Sequence, residues 1–205
     1  FTSVTVMMQW MFGVSLAMPA IWLVGQIGLD LVYPGSYLGP DAGETVVHYL
    51  GQTALIILLL AYSVSPLRRL TGITMIARQR RQVGLFAFTY VCLHALSYLA
   101  FYLEFVWSDL LDDFSDRLYI AAGLGSLVCL TLMAATSTRG WQRRMRRYWR
   151  VLHRLVYPAV GLALLHLWWL TRDGYGEVVL YSLWFLVLSI ERLWHLPRFK
   201  RGWPA

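Results

Sequence analysis

Charge is what this sequence has least of. Only 14% of its 205 residues are Asp, Glu, Lys or Arg, and 58% are apolar. A soluble domain carries about 25% charged residues, so an ordinary soluble globule is excluded, and a disordered chain with it. Cysteine is also scarce. Cys92 and Cys129 lie far apart, which excludes a disulfide scaffold and any four-cysteine zinc or iron–sulfur site. No G-x-G-x-x-G, P-loop or H-E-x-x-H pattern occurs, so neither a nucleotide-binding domain nor a zinc-protease helix is expected. No internal repeat, low-complexity tract or long linker is visible. One domain over 1–205 is therefore expected.

What is present is apolar sequence in long runs. A membrane-crossing helix needs about 20 mostly apolar residues. Six stretches qualify: Val4–Leu29, Val46–Ser65, Val83–Leu103, Leu118–Thr138, Val151–Leu170 and Val178–Leu196. They predict an all-α integral membrane six-helix bundle. The first run is too long for a cleavable signal peptide and lacks a basic leader, so it reads as a retained span. Pro19 and Pro158 predict kinks within their helices, and Pro66 predicts the end of the second.

The few charges are sorted by sign. Arg68, Arg69, Arg78, Arg80 and Arg81 follow the second run; Arg139, Arg143, Arg144, Arg146, Arg147 and Arg150 follow the fourth; Arg198, Lys200 and Arg201 follow the sixth. The alternate connections hold ten of the 11 acids, among them Glu104, Asp109, Asp112, Asp113 and Asp116. The positive-inside rule then puts both arginine segments and both termini in the cytoplasm of a multi-pass inner-membrane protein. The net charge of +7 is thereby accounted for by topology and anionic lipid, not by nucleic acid. Some of these arginines are candidates for binding an anionic cofactor. Most tryptophans, Trp107, Trp149, Trp168, Trp169, Trp194 and Trp203, fall near the expected interfaces.

Ionisable residues at membrane depth read as functional by default. His94 lies ~16 Å along the third run and His166 ~22 Å along the fifth, which runs the same way. Two imidazoles at matched depth on separate helices suit the two axial positions of a haem held between helices 3 and 5, or a polar pair bonded across the helices. Tyr90 and Tyr98, one turn either side of His94, are candidates to support it. His153 has no histidine opposite it on the third run, where Arg80 and Arg81 sit instead; it is a candidate ligand for a second haem, a contact to another cofactor, or an interfacial histidine. His48 and His195 read as helix-end residues. The small residues Ala121, Ala122, Gly123, Gly125, Ser126 and Gly161 permit close helix approach.

Several stretches together resemble a known family: H-Y-L-G-Q-T-A-L from His48, S-P-L-R from Ser65, R-Q-R-R-Q-V-G-L from Arg78, C-L-H-A-L-S-Y from Cys92, T-S-T from Thr136, and W-R-V-L-H-R-L-V-Y from Trp149, then His166. The ordered set is similar to the MsrQ (YedZ) family, haem-binding membrane subunits of the bacterial protein-methionine-sulfoxide reductase system, within the ferric-reductase and NADPH-oxidase transmembrane superfamily. The resemblance implies haem b and FMN, with His94, His153 and His166 in the haem-histidine positions. Members of the superfamily with two haems carry two histidines on the third helix; this chain has one. The resemblance also implies electron passage to a periplasmic molybdopterin reductase subunit, MsrP. The donor expected is membrane quinol or a cytoplasmic flavin reductase. We place the FMN among Arg78, Arg80, Arg81 and Trp149, near His153, because a phosphate needs cationic donors. The rival readings are a ferric reductase with another partner, a transporter using histidines as proton relays, and a structural subunit.

Overall fold

The computed structural model describes residues 2–172 and 174–195. Asp173, the tail residues Arg198, Lys200, Arg201 and Trp203, and the expected end of the last run at Leu196 lie outside them. Among the described residues every regular element is helical: α1 (Thr2–Val32), α2 (Ala42–Thr71), α3 (Thr74–Phe101), α4 (Trp107–Asp116), α5 (Leu118–Ala135), α6 (Arg139–Met145), α7 (Arg147–Leu152), α8 (Val156–Leu170) and α9 (Gly176–Trp194). A 3-10 turn, His153–Leu155, joins α7 to α8. The expected acidic loop is therefore largely the short helix α4, and the second arginine segment forms α6 and α7.

Five helices are long and apolar enough to cross a membrane, within Gln9–Val32, Ala42–Thr71, Arg78–Phe101, Leu118–Ala135 and Arg147–Leu170. The chain is a multi-pass membrane protein. Six spans were expected. α9 falls short because its 19 residues include Glu177, Glu191 and Arg192. All three are engaged across the bundle: Gln52 donates to Glu177 at 2.9 Å, Arg69 pairs with Glu191, and Arg192 reaches α2.

The core is built from α2 against α3 and α5 against α8, with Leu59, Tyr62, Ala87, Ala159 and Val160 fully buried. Ser126 Oγ donates to the Ala159 carbonyl at 2.8 Å, which ties α5 to α8. α1 packs loosely, and Trp10, Ile21, Val24 and Leu31 on it are 60–80% exposed, as a helix bordering hydrocarbon should be.

Pro66 does not end its helix as expected. α2 continues five residues past Pro66 to Thr71. Proline has no N–H, so the carbonyl four residues earlier loses its helical donor. That carbonyl belongs to Tyr62, and the Arg192 guanidinium donates to it while stacking 3.9 Å from the Tyr62 ring centroid. A neighbouring helix thus satisfies the freed group, and the helix need not stop. In α1, the Tyr90 hydroxyl enters the backbone ladder beside Pro19. It donates to the Leu16 carbonyl at 2.9 Å and accepts from the Ala20 N–H at 3.0 Å. Pro158 sits in the first turn of α8, just after the 3-10 turn.

Candidate functional site

Two sites emerge at the two ends of the bundle. The first is the imidazole pair. His94 on α3 and His166 on α8 face each other with ring centroids 6.2 Å apart and ring planes at 79°. Each Nδ1 lies against a main-chain carbonyl of the neighbouring helix: His94 on Val47 O of α2 at 2.9 Å, and His166 on Tyr119 O of α5 at 2.6 Å. A carbonyl only accepts, so Nδ1 carries the proton in both rings and donates it. Nε2 is then a lone-pair donor, and among the described residues neither Nε2 has a hydrogen-bond partner. This is the tautomer that a metal-ligating histidine requires, fixed in the usual way by a bond at the far nitrogen.

The surroundings of the two rings are the same. In each the carbonyl lies 47 residues before the histidine. In each a glycine follows the carbonyl by one turn. A Cβ on Gly51 would lie 2.9 Å from His94 Cε1, and one on Gly123 would lie 3.0 Å from His166 Nδ1. Helical side chains lean back over the preceding turn, so any residue but glycine there would cover the carbonyl that the imidazole uses. A shift of 72 residues carries 47, 51 and 94 onto 119, 123 and 166. The helix pairs α2–α3 and α5–α8 are thus repeats around the site. No repeat was expected from sequence, because the repeated partners are carbonyls and missing side chains.

Tyr90 and Tyr98 do not support the pair as expected. Tyr90 is spent on α1. Tyr98 donates to the Asp113 carboxylate of α4, which also pairs with Arg117 at 3.1 Å. His48 is exposed and next to Val47.

The second site is a cavity of about 260 Å³ at the arginine end. It gathers Arg78, Arg80, Arg81, Trp149 and His153. Sequence reasoning missed its other polar walls, Ser137, Gln142 and Arg192. Its middle is apolar, with Leu58, Leu130, Met133 and Val156. His153 stacks on Trp149 at 4.0 Å, and its Nε2 lies 3.4 Å from Thr136 Oγ1. The indole of Trp149 donates to the Thr136 carbonyl at 2.9 Å. The 72-residue shift sets Arg81 opposite His153, so at this level the repeat is broken: a guanidinium stands where the first site has a second imidazole.

Among the described residues no group of three or more His, Cys, Asp and Glu is placed to hold a metal ion. The donor set of the first site is a facing pair. With metal–imidazole bonds of about 2 Å, two rings on opposite sides of one metal have centroids roughly 6 Å apart, which agrees with the observed spacing. Such a pair suits a metal that brings its own equatorial ligands.

The fold and this pair define a membrane helical bundle with a two-histidine centre. The family described as ferric reductase like transmembrane component matches residues 50–164, a span that takes in Gly51, His94, Gly123 and His153 and ends just before His166. The protein-methionine-sulfoxide reductase heme-binding subunit MsrQ of Xanthomonas axonopodis pv. citri (strain 306) is 39% identical over 173 residues, covering 84% of this chain and 77% of that protein. Its namesakes from Xanthomonas euvesicatoria pv. vesicatoria (strain 85-10) and Xanthomonas campestris pv. campestris (strain 8004) are 39% and 38% identical over the same shares. The chain belongs to the MsrQ family within the ferric reductase like transmembrane components.

Adding one methyl group tests the geometry of the pair. Gly51→Ala and Gly123→Ala each force an imidazole off its carbonyl, and each should destabilise the fold by about 1–3 kcal/mol. Gly161→Ala, with nothing within 4 Å of the added Cβ, should be neutral or slightly stabilising. Thermal unfolding in detergent measures all three.

Proposed function

We propose that residues 1–205 form one six-span electron-transfer subunit that holds a single haem b between His94 and His166. The observation that carries this is the tautomer. Both Nδ1 atoms are committed to carbonyls, and both Nε2 atoms are free to ligate across a 6.2 Å centroid gap. Bound there, haem would supply reversible one-electron iron chemistry. The chain's own residues do the rest. His94 and His166 would hold the haem iron from two different helices through Nε2, a donor set that would favour electron transfer over dioxygen binding. The Val47 and Tyr119 carbonyls hold the rings in place and raise their basicity. Gly51 and Gly123 leave room for them. Pro158 and the 3-10 turn direct His153 away to the other cavity, and Arg81 opposite it argues against a second bis-histidine haem.

The cavity at the arginine end is assigned to FMN. Arg78, Arg80 and Arg81 supply cations for its phosphate, and Trp149 with His153 supplies an aromatic wall. Charge asymmetry supports the orientation: arginine segments and both termini in the cytoplasm of a bacterial inner membrane, acidic connections in the periplasm. α9 completes the bundle as a sixth span whose charges are hydrogen-bonded to other helices. Electrons would enter from quinol or a cytoplasmic flavin reductase. They would leave to a periplasmic molybdopterin reductase subunit of the MsrP kind, which supports the repair of oxidised methionine in periplasmic proteins.

His94→Ala and His166→Ala should each abolish at least about 90% of the haem measured as pyridine haemochrome, since one remaining imidazole cannot replace the two-sided clamp. Full haem content with an unchanged spectrum in both variants would overturn the assignment.

The docking face is α4. It presents Asp109, Asp112 and Asp116 beside exposed Trp107, Leu111 and Phe114. Asp113 is instead engaged within the protein, with Tyr98 and Arg117. Neutralising Asp109, Asp112 and Asp116 together should slow reoxidation by the reductase subunit several-fold at low ionic strength, and hardly at all at high salt. A rate that stays constant in stopped-flow absorbance at low salt would remove α4 from the interface.

A further inference from the structure

The two imidazoles of the central pair use acceptors that are held very differently. His94 donates to Val47, the sixth residue of α2, and that helix starts on Asp41, whose carboxylate accepts from the Glu44 N–H at 2.8 Å. His166 donates to Tyr119, the second residue of α5. No side chain caps α5, whose N-cap position is Arg117, extended between α4 and α5. An uncapped first turn has the least backbone support of any part of a helix, and helix ends fray. The carbonyl that fixes His166 therefore needs another restraint.

Side chains supply it. Arg117 Nε pairs with Asp113 Oδ1 of α4 at 3.1 Å, and a terminal nitrogen of Arg117 donates to the Tyr119 hydroxyl at 3.4 Å. The other Asp113 oxygen accepts from the hydroxyl of Tyr98, on α3 one turn past His94. The Asp113 side chain is only 15% exposed, so its charge depends on these two partners. The Tyr119 ring lies 6.0 Å from the His166 ring. A continuous set of contacts thus runs from the helix that carries His94, through α4, to the first turn of α5 and on to His166.

We propose that Tyr98, Asp113 and Arg117 form a clamp that positions His166: it pins the Tyr119 carbonyl against Nδ1, and so sets the basicity and the ring plane that this imidazole brings to the metal. This rests on the single-haem reading above. All three are positioning residues, which act on the iron only through Tyr119 and His166. A tight Nδ1–H···O=C bond pushes electron density toward Nε2, and a more basic axial ligand favours the ferric state. Loosening the clamp therefore raises the reduction potential. It also lets the His166 ring turn away from its 79° angle to His94. Charge alone gives the opposite sign for Arg117. A nearby cation favours uptake of an electron, so its removal by itself lowers the potential.

The sign of the shift in Arg117→Gln thus distinguishes positioning from charge. This variant, Tyr98→Phe and a charge control, Arg172→Gln on the connection after α8, are loaded with haem in detergent and titrated potentiometrically by absorbance. Ferric samples are then measured by low-temperature electron paramagnetic resonance, in which the largest g value reports the angle between two axial imidazole planes. Wild type should give the large-g signal of near-perpendicular rings. Arg117→Gln and Tyr98→Phe should both raise the midpoint potential and move that signal toward the rhombic form of parallel rings, with haem content retained. Arg172→Gln should leave the signal unchanged and should not raise the potential. Tyr98→Phe keeps the ring and its packing, so it decides the matter by itself where Arg117→Gln fails to fold. A potential that falls or stays constant in either folded clamp variant, or wild-type g values in either, overturns the clamp and leaves the haem reading intact. A wild type that takes up no haem overturns the two together.

Discussion

Each imidazole of the central pair reaches the neighbouring helix through Nδ1, and that bond imposes much of what surrounds it. The acceptor is a carbonyl inside a helix, whose first lone pair already serves the N–H four residues on. The second lone pair is reachable only where the side chain at that position is missing, hence Gly51 behind Val47 and Gly123 behind Tyr119. With the glycines in place, α2 closes on α3 and α5 on α8, and the two pairs bring the imidazoles to 6.2 Å between ring centroids. In hydrocarbon an unpartnered imidazole N–H would cost several kcal/mol, so position and tautomer are specified together.

The other half of the molecule relies on interruptions of the helical ladder. Pro66 frees the Tyr62 carbonyl, and Arg192 takes it, which anchors a guanidinium at the wall of the arginine-end cavity. Pro158 and the preceding 3-10 turn separate α7 from α8 and bring His153 against Trp149 and Thr136. Beside Pro19, Tyr90 enters the ladder of α1 and ties that span to α3. Polar side chains are kept within an apolar bundle at the points where the backbone offers them an unsatisfied partner.

Much of this was legible in the sequence. Apolar runs of spanning length marked the helices, the sorting of arginine and acid marked the two ends, and the spacing of His94 and His166 placed them at one depth. Arg78, Arg80, Arg81, Trp149 and His153 were grouped by charge and proximity in the chain, and the fold does bring them to one cavity. What was not legible follows from two physical causes. The partners of the imidazoles are main-chain carbonyls, which no residue code reveals; only the glycine one turn after each gives a trace. The continuation of α2 past Pro66 depends on an arginine more than a hundred residues away. The same holds for Tyr98, read as a neighbour of His94 because it lies one turn along, but drawn to Asp113 once α4 folds over it. α9 was read as apolar enough to span by itself, yet its three charges are tolerated only through partners on other helices.

If His94 and His166 hold one haem between them as proposed, the iron would keep no coordination position open. Carbon monoxide added to the dithionite-reduced, haem-loaded protein tests it most directly, because the gas binds ferrous haem only where an axial position is free. A low-spin spectrum that carbon monoxide leaves unchanged is expected of the wild type. Prompt formation of a carbon monoxide complex in the wild type would contradict it.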